Sequence, residues 1–196
     1  MRTTEECVSD ILARAYALGV AVMLYPEFNV VSDGVTASGF FSEDGIPTIL
    51  VATDRPPLRW LGTLAHEFSH ACQWYEGAPV WHDCRKGERV WDWLQGAPLK
   101  DPYKAASYWR EVEADCERRT VRLLTELRSP IDLELYQRQA NSYVHFYNII
   151  PETRKWYAKG RGPYEVPEVL ARANPKLDTS FAKTPAALRR ELLKCV

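Results

Sequence analysis

His66, Glu67 and His70 stand in the order His-Glu-x-x-His inside Leu64-Ala65-His66-Glu67-Phe68-Ser69-His70-Ala71, an otherwise apolar run. On a helix, residues four apart lie on one face one turn apart, so both imidazoles can reach a single metal ion. Glu67 then lies beside that ion without binding it. Two neutral imidazoles suit zinc, and a carboxylate next to the open coordination position can take a proton from an activated water. With four histidines among 196 residues, a shuffled chain would show the three fixed letters roughly once in 150 trials. The plainer alternative is a helix whose histidines line a core.

A catalytic zinc takes three protein ligands and keeps its fourth position open. The third ligand must come from elsewhere, and Glu111-Val112-Glu113-Ala114-Asp115 offers carboxylates at helical spacing. Glu111 and Asp115 share a face. Glu111 is the expected metal ligand, and Asp115, one turn on, is the expected acceptor for the far nitrogen of a liganding histidine, which would fix its tautomer. Glu113 and His82 compete for the third position. Arg110, Arg118, Arg119 and Arg122 give the acidic residues a second explanation, an ion-paired solvated face. His82 follows His70 by twelve residues and does not fit the HExxHxxGxxH spacing, which sets a metzincin aside. Hydrolysis also needs a hydrogen-bond donor for the developing oxyanion. Tyr143, His145 and Tyr147 follow one another on a later helix, and His145 is singled out, against the plainer reading of a histidine half-buried among aromatics.

These residues need a scaffold. Val8, Ile11, Leu12, Ala15 and Leu18 recur at helical spacing, with Thr3 or Thr4 as cap and Gly19 as stop. Residues 20–31, 35–42 and 46–52 read as three strands of a small antiparallel sheet, with turns at Asp33-Gly34 and Glu43-Asp44-Gly45. Thr53 or Asp54 is the expected cap of the motif helix, with a proline in its first turn. Leu58, Leu61, Leu64, Ala65, Phe68, Ala71 and Cys72 make that helix apolar on most sides, and it should end at Gly77. Buried histidines on such a helix require polar partners.

Residues 78–102 hold Trp81, Trp91 and Trp93 among Gly and Pro breaks, an irregular insertion with one short helix at 88–95 that either walls a cleft or is pinned to the surface by its tryptophans. Asp101-Pro102 opens a long helix to about 128, and Pro130-Ile131-Asp132 opens another to 150, closed by Pro151. The remainder, 151–196, is a proline-punctuated C-terminal extension with short helices at 167–173 and 185–194. The fold class expected is α+β: a small sheet followed by a mainly helical, zincin-like domain centred on the HExxH helix, one domain over 1–196. The strand at 46–51, just before that helix, is the expected edge for an extended substrate to join.

Composition narrows the partners. The formal net charge is −1, with a pI near 6.4, which gives no footprint for nucleic acid or an anionic membrane. Cys7, Cys72, Cys84, Cys116 and Cys195 are odd in number and form no CxxC pair, so neither a disulfide framework nor a cysteine zinc site is expected. A reducing, cytoplasmic setting follows as the expectation. The acidic N-terminus argues against a secretory signal, and the uncharged stretch 15–25 is too short to span a bilayer.

The strand–turn–strand order, the short polar link and Thr63-Leu64-Ala65-His66-Glu67 resemble the ImmA/IrrE family of zinc-dependent peptidases. Glu111-Val112-Glu113-Ala114-Asp115 is similar to that family's second motif, a Glu followed four residues later by Asn or Asp. The resemblance covers roughly residues 35–127 and is shared in part by other gluzincins. It implies Zn2+ held by His66, His70 and Glu111, with Glu67 as base and Asp115 behind the ligands. It further implies hydrolysis of a peptide bond in a protein or peptide substrate. The competing class is a binding or regulatory protein that keeps the zinc fold without cutting.

Overall fold

A computed structural model describes residues 2–32 and 35–196; the turn expected at Asp33-Gly34 lies outside the described residues. The backbone groups into two units, one of residues up to 78 with 119–131, the other of 79–118 with 132–196. Within the described residues no helix is long and apolar enough to cross a membrane.

The first unit opens with α1 (Thr4–Ala17). Thr3 caps it through a reciprocal capping box with Glu6, which satisfies donors that a helix N-terminus leaves open. Gly19, at φ 73, turns the chain away beyond its C-terminus. Among the described residues five strands follow: β1 (Ala21–Tyr25), β2 (Val30–Ser32), β3 (Val35–Ala37), β4 (Gly39–Ser42) and β5 (Thr48–Ala52). The sheet is mixed, where a purely antiparallel one was expected. β1 runs parallel to β5, β4 runs antiparallel to β5, and the order is β1-β5-β4. β2 and β3 form a separate antiparallel pair. β5 takes the centre because Ile49, Val51 and Ala52 are fully buried there, as a strand covered by neighbours on both sides requires.

That position also corrects the expectation of substrate pairing along 46–51. β5 already has a strand on each side, so the edges of this sheet are β1 and β4.

α2 (Pro57–Tyr75) carries the HExxH motif and packs against α1, β4 and β5. Pro57 occupies its first turn, but the N-cap is Pro56 and no side chain caps it, contrary to the role expected of Thr53 or Asp54. Its end is closed by Gly77 at φ 63 and by Ala78 N donating to Gln73 O at 2.9 Å, the six-to-one bond of a Schellman motif. Residues 119–131 are tied to the same unit. Arg2 N donates to Arg128 O at 3.0 Å, Arg14 pairs with Glu126 at 2.8 Å, Arg119 pairs with Glu76 at 2.8 Å, and Thr120 Oγ1 donates to Ser69 Oγ at 2.9 Å.

The second unit is helical. α3 (Pro79–Cys84) and α4 (Arg89–Leu94) replace the irregular insertion with two short helices joined by a 3-10 turn. α5 (Pro102–Glu126) is the long helix expected, and its residues up to 118 belong to this unit. α6 (Leu133–Phe146) starts at Asp132, whose carboxylate accepts from Glu134 N and Leu135 N. It stops at 146, and α7 (Ile150–Thr153) is separate, so the single helix expected to 150 is interrupted. α8 (Pro167–Leu170) and α9 (Ala186–Leu192) complete the chain.

The core of this unit is aromatic: Phe146, Tyr147, Ile149, Ile150, Val169, Leu188 and Leu192 are buried together, with Trp91, Trp109 and Trp156 packed against them. Trp91 meets Trp109 and Trp156 edge-on at 5.4 Å each, the arrangement that ring quadrupoles favour. Arg154, left-handed at φ 53, lays its guanidinium 5.0 Å over Trp93 and donates to Trp93 O and Ala97 O. The tryptophans thus hold the insertion to the C-terminal part of the chain.

The segment from 164 to 184 forms α8 and turns around it. α6 ties it down: Gln139 donates to Tyr164 O, Arg138 to Leu170 O and Ala173 O, and Asn141 to Asn174 O and Lys176 O. Asn148 donates to Phe181 O and to Thr184 Oγ1. All but the last of these bonds give a main-chain carbonyl a side-chain donor.

Candidate metal centre

The apolar stripe of α2 fixes which way the motif points. Leu61, Leu64, Ala65, Phe68 and Ala71 are buried around it, and Glu67 and His70 are themselves only 8% exposed. The rings of His66 and His70 meet edge-on with centroids 4.7 Å apart. His70 Nδ1 lies 2.8 Å from Gln73 Oε1. An amide oxygen only accepts, so a proton on Nδ1 would satisfy this contact and leave a lone pair on Nε2. Ser69 donates back to Ala65 O at 2.9 Å and receives Thr120.

Glu67 sits against the sheet edge. A Cβ added at Gly39 of β4 would lie 3.0 Å from Glu67 Cγ and 2.6 Å from Thr63 Cγ2. A glycine at 39 is what lets α2 and β4 approach so closely.

Periodicity on α5 decides which of its residues can join the histidines. Thr120 meets Ser69, the neighbour of His70, and Cys116 lies one turn earlier on the same face. His66, His70 and Cys116 offer ligand atoms that all lie within 4.8 Å of one another, and the group could hold a metal ion. His66 is half-buried in it, and His70 and Cys116 are buried.

Glu111, the expected third ligand, is not one of that group. Five residues from Cys116, it is rotated roughly 140° around the helix. Its carboxylate is 49% exposed and accepts from Arg110 Nη2 at 2.8 Å and Arg110 Nε at 3.1 Å. The solvated ion pair describes Glu111 better than metal ligation does. His82 is exposed on α3 and likewise stands outside the group. Asp115 is half-buried, and His70 Nδ1 has Gln73, a residue of the same helix, as its partner.

Glu113 is only 7% exposed, three residues before Cys116. Tyr147 is hydrogen-bonded to it, and the Tyr143 and Tyr147 hydroxyls are 3.1 Å apart. Burial holds both phenols well above the ordinary tyrosine range, and the nearby Glu113 charge pushes the same way. Both stay protonated at neutral pH and remain hydrogen-bond donors.

His145 departs from its expected role. Its side chain is buried, Nε2 lies 2.9 Å from Asp178 Oδ2, and its ring packs on Phe181 at 4.8 Å. Burial pushes its pKa down, partly offset by Asp178. An oxyanion donor must reach substrate, whereas this ring is sealed inside the second unit and fastens Asp178 to α6. Gln73 and Cys116 escaped the reading of the sequence. The signal for Cys116 was the buried stripe of Val112, Cys116, Thr120 and Leu124 along α5, which puts Glu111 on the opposite, polar side.

No family model, curated protein or solved structure matches this chain.

Proposed function

We propose that the chain is a zinc-dependent peptidase in which Glu67 is the general base. The observation that carries this is the pairing of His66 and His70 in one group with Cys116, with the buried Glu67 carboxylate next to His66 on the same helix. Two imidazoles and a thiolate match zinc's preferred donors, and three protein ligands are what a catalytic zinc takes. A zinc ion held there supplies a Lewis acid and brings a water molecule's pKa close to neutrality. The HExxH motif and its resemblance to ImmA/IrrE peptidases support the same class.

Glu67 takes the proton from the attacking water and returns it to the leaving amine, so that one carboxylate serves both halves of the reaction. Gln73 Oε1, 2.8 Å from His70 Nδ1, would hold the ring in place. β4 is one of the two outer strands of the three-stranded sheet and touches Thr63 and Glu67 through Gly39. An extended peptide adding to β4 as a further strand would bring its backbone to the base by main-chain hydrogen bonds.

One observation favours the non-cleaving alternative: a buried thiol in the donor set also suits a site that stores or senses a metal. The two readings separate on Glu67→Gln. A peptidase keeps its zinc and loses peptide-bond hydrolysis; a binding protein loses neither zinc nor partner binding, because it makes no use of the base.

A further inference from the structure

Gln73 lies three residues beyond His70 on α2 and is fully buried. Its Oε1 lies 2.8 Å from His70 Nδ1. Burying an amide in so apolar a helix is costly unless its polar atoms are used, and here one of them fixes a histidine of the motif. The residue is itself rigidly placed. Its main-chain carbonyl accepts from Ala78 N at 2.9 Å, closing the helix beside the left-handed Gly77. The turn that holds His70 is anchored on its other flank by the Thr120–Ser69 hydrogen bond.

We propose that Gln73 is a positioning residue for the metal centre: it holds His70 as the Nδ1–H tautomer, with its ring set so that Nε2 is the ligand atom. The proposal rests on the peptidase reading's metal site. It extends the motif from HExxH to HExxHxxQ, with the tautomer lock built into the same helix as the ligand. Because the amide is neutral, it orients the ring without adding the basicity that a carboxylate partner lends a ligand. Gln73→Glu should therefore tighten metal binding, and Gln73→Met, of similar size but with no acceptor of comparable strength, should weaken it.

The test has two arms. In metal-free, 15N-labelled protein, long-range proton–nitrogen spectra report the tautomer, with the His70 signals assigned by their loss in His70→Asn. Wild type should carry its proton on Nδ1, and Gln73→Met should lose that fixed pattern. In the second arm, Zn2+ affinity is measured by competition with a chromogenic chelator. Gln73→Met should bind zinc about 10- to 100-fold more weakly, and Gln73→Glu at least as tightly as wild type. Should Gln73→Met fail to fold, Gln73→Glu carries the test, since affinity weaker than wild type would overturn the proposal. Wild type that binds zinc alongside a folded Gln73→Met of equal affinity overturns the role of Gln73 alone. Wild type that binds no zinc overturns the metal centre itself. A wild-type His70 protonated on Nε2 overturns the tautomer lock in either case.

Discussion

A methyl group added at Gly39 has almost nowhere to go. Its Cβ would stand 2.6 Å from Thr63 Cγ2, 3.0 Å from Glu67 Cγ and 3.0 Å from Leu50 O. Carbon atoms in contact prefer about 3.5–4.0 Å, so the first pair must separate by roughly 1 Å. One neighbour is main chain and cannot yield by rotating. Overpacking of this kind costs about 1–3 kcal/mol, and Gly39→Ala should destabilise the protein within that range. Thr63→Ser removes the nearest atom at a cost of about 0.8 kcal/mol for the lost methyl. Combined with Gly39→Ala, it should return about 1 kcal/mol, so the double variant is more stable than the sum of the singles predicts. Urea titration of wild type, both single variants and the double variant, followed by tryptophan fluorescence, measures this coupling. Strict additivity, or a Gly39→Ala protein within about 0.5 kcal/mol of wild type, would refute close packing of β4 on α2 beside Glu67.

Three further outcomes follow from the same geometry. Cys116→Ser should lower zinc affinity by at least about tenfold, whereas Glu111→Ala should leave it unchanged, because Glu111 is exposed and paired with Arg110; equilibrium dialysis with metal analysis reads both. His145 is neutral in the folded protein, since burial pushes its pKa below the ordinary value. Its depressed pKa gives stability that is present above about pH 6.5 and lost as pH falls below it. Asp178 accepts from its Nε2, Arg110 adds like charge, and Phe181 covers the ring. His145→Gln should therefore flatten the acid limb of a stability–pH curve measured by urea titration, and an unchanged limb would show that another group dominates. Arg154→Ala should cost about 1–2 kcal/mol through loss of the stack on Trp93 and the bonds to Trp93 O and Ala97 O, read as a lower urea midpoint.

What the chain discloses by itself is local. Thr3 with Glu6, Pro57, Pro102 and Asp132 mark helix starts because caps and first-turn prolines act within a few residues. The HExxH spacing is equally local, since one helical turn places both imidazoles. The parallel pairing of β1 with β5 is not local: it depends on which strand is buried on both sides, and alternation alone does not say. α5 holds the clearest lesson. The motif pattern selected Glu111 and Asp115, yet the buried stripe through Val112, Cys116 and Thr120 decides which face turns inward. Cys116 was discounted for lack of a partner cysteine, although a thiolate can complete a histidine pair without one. His145 was singled out as an oxyanion donor, but the segment that seals it lies some 33 residues later, at Asp178.

The central claim is that Glu67 is the base of a zinc-dependent hydrolysis. It is tested most directly by the turnover of a labelled, unfolded protein by wild type and Glu67→Gln, each loaded with zinc. The account predicts equal zinc content and loss of at least about two orders of magnitude in turnover for the variant. Undiminished cleavage by Glu67→Gln, with its zinc in place, would contradict it.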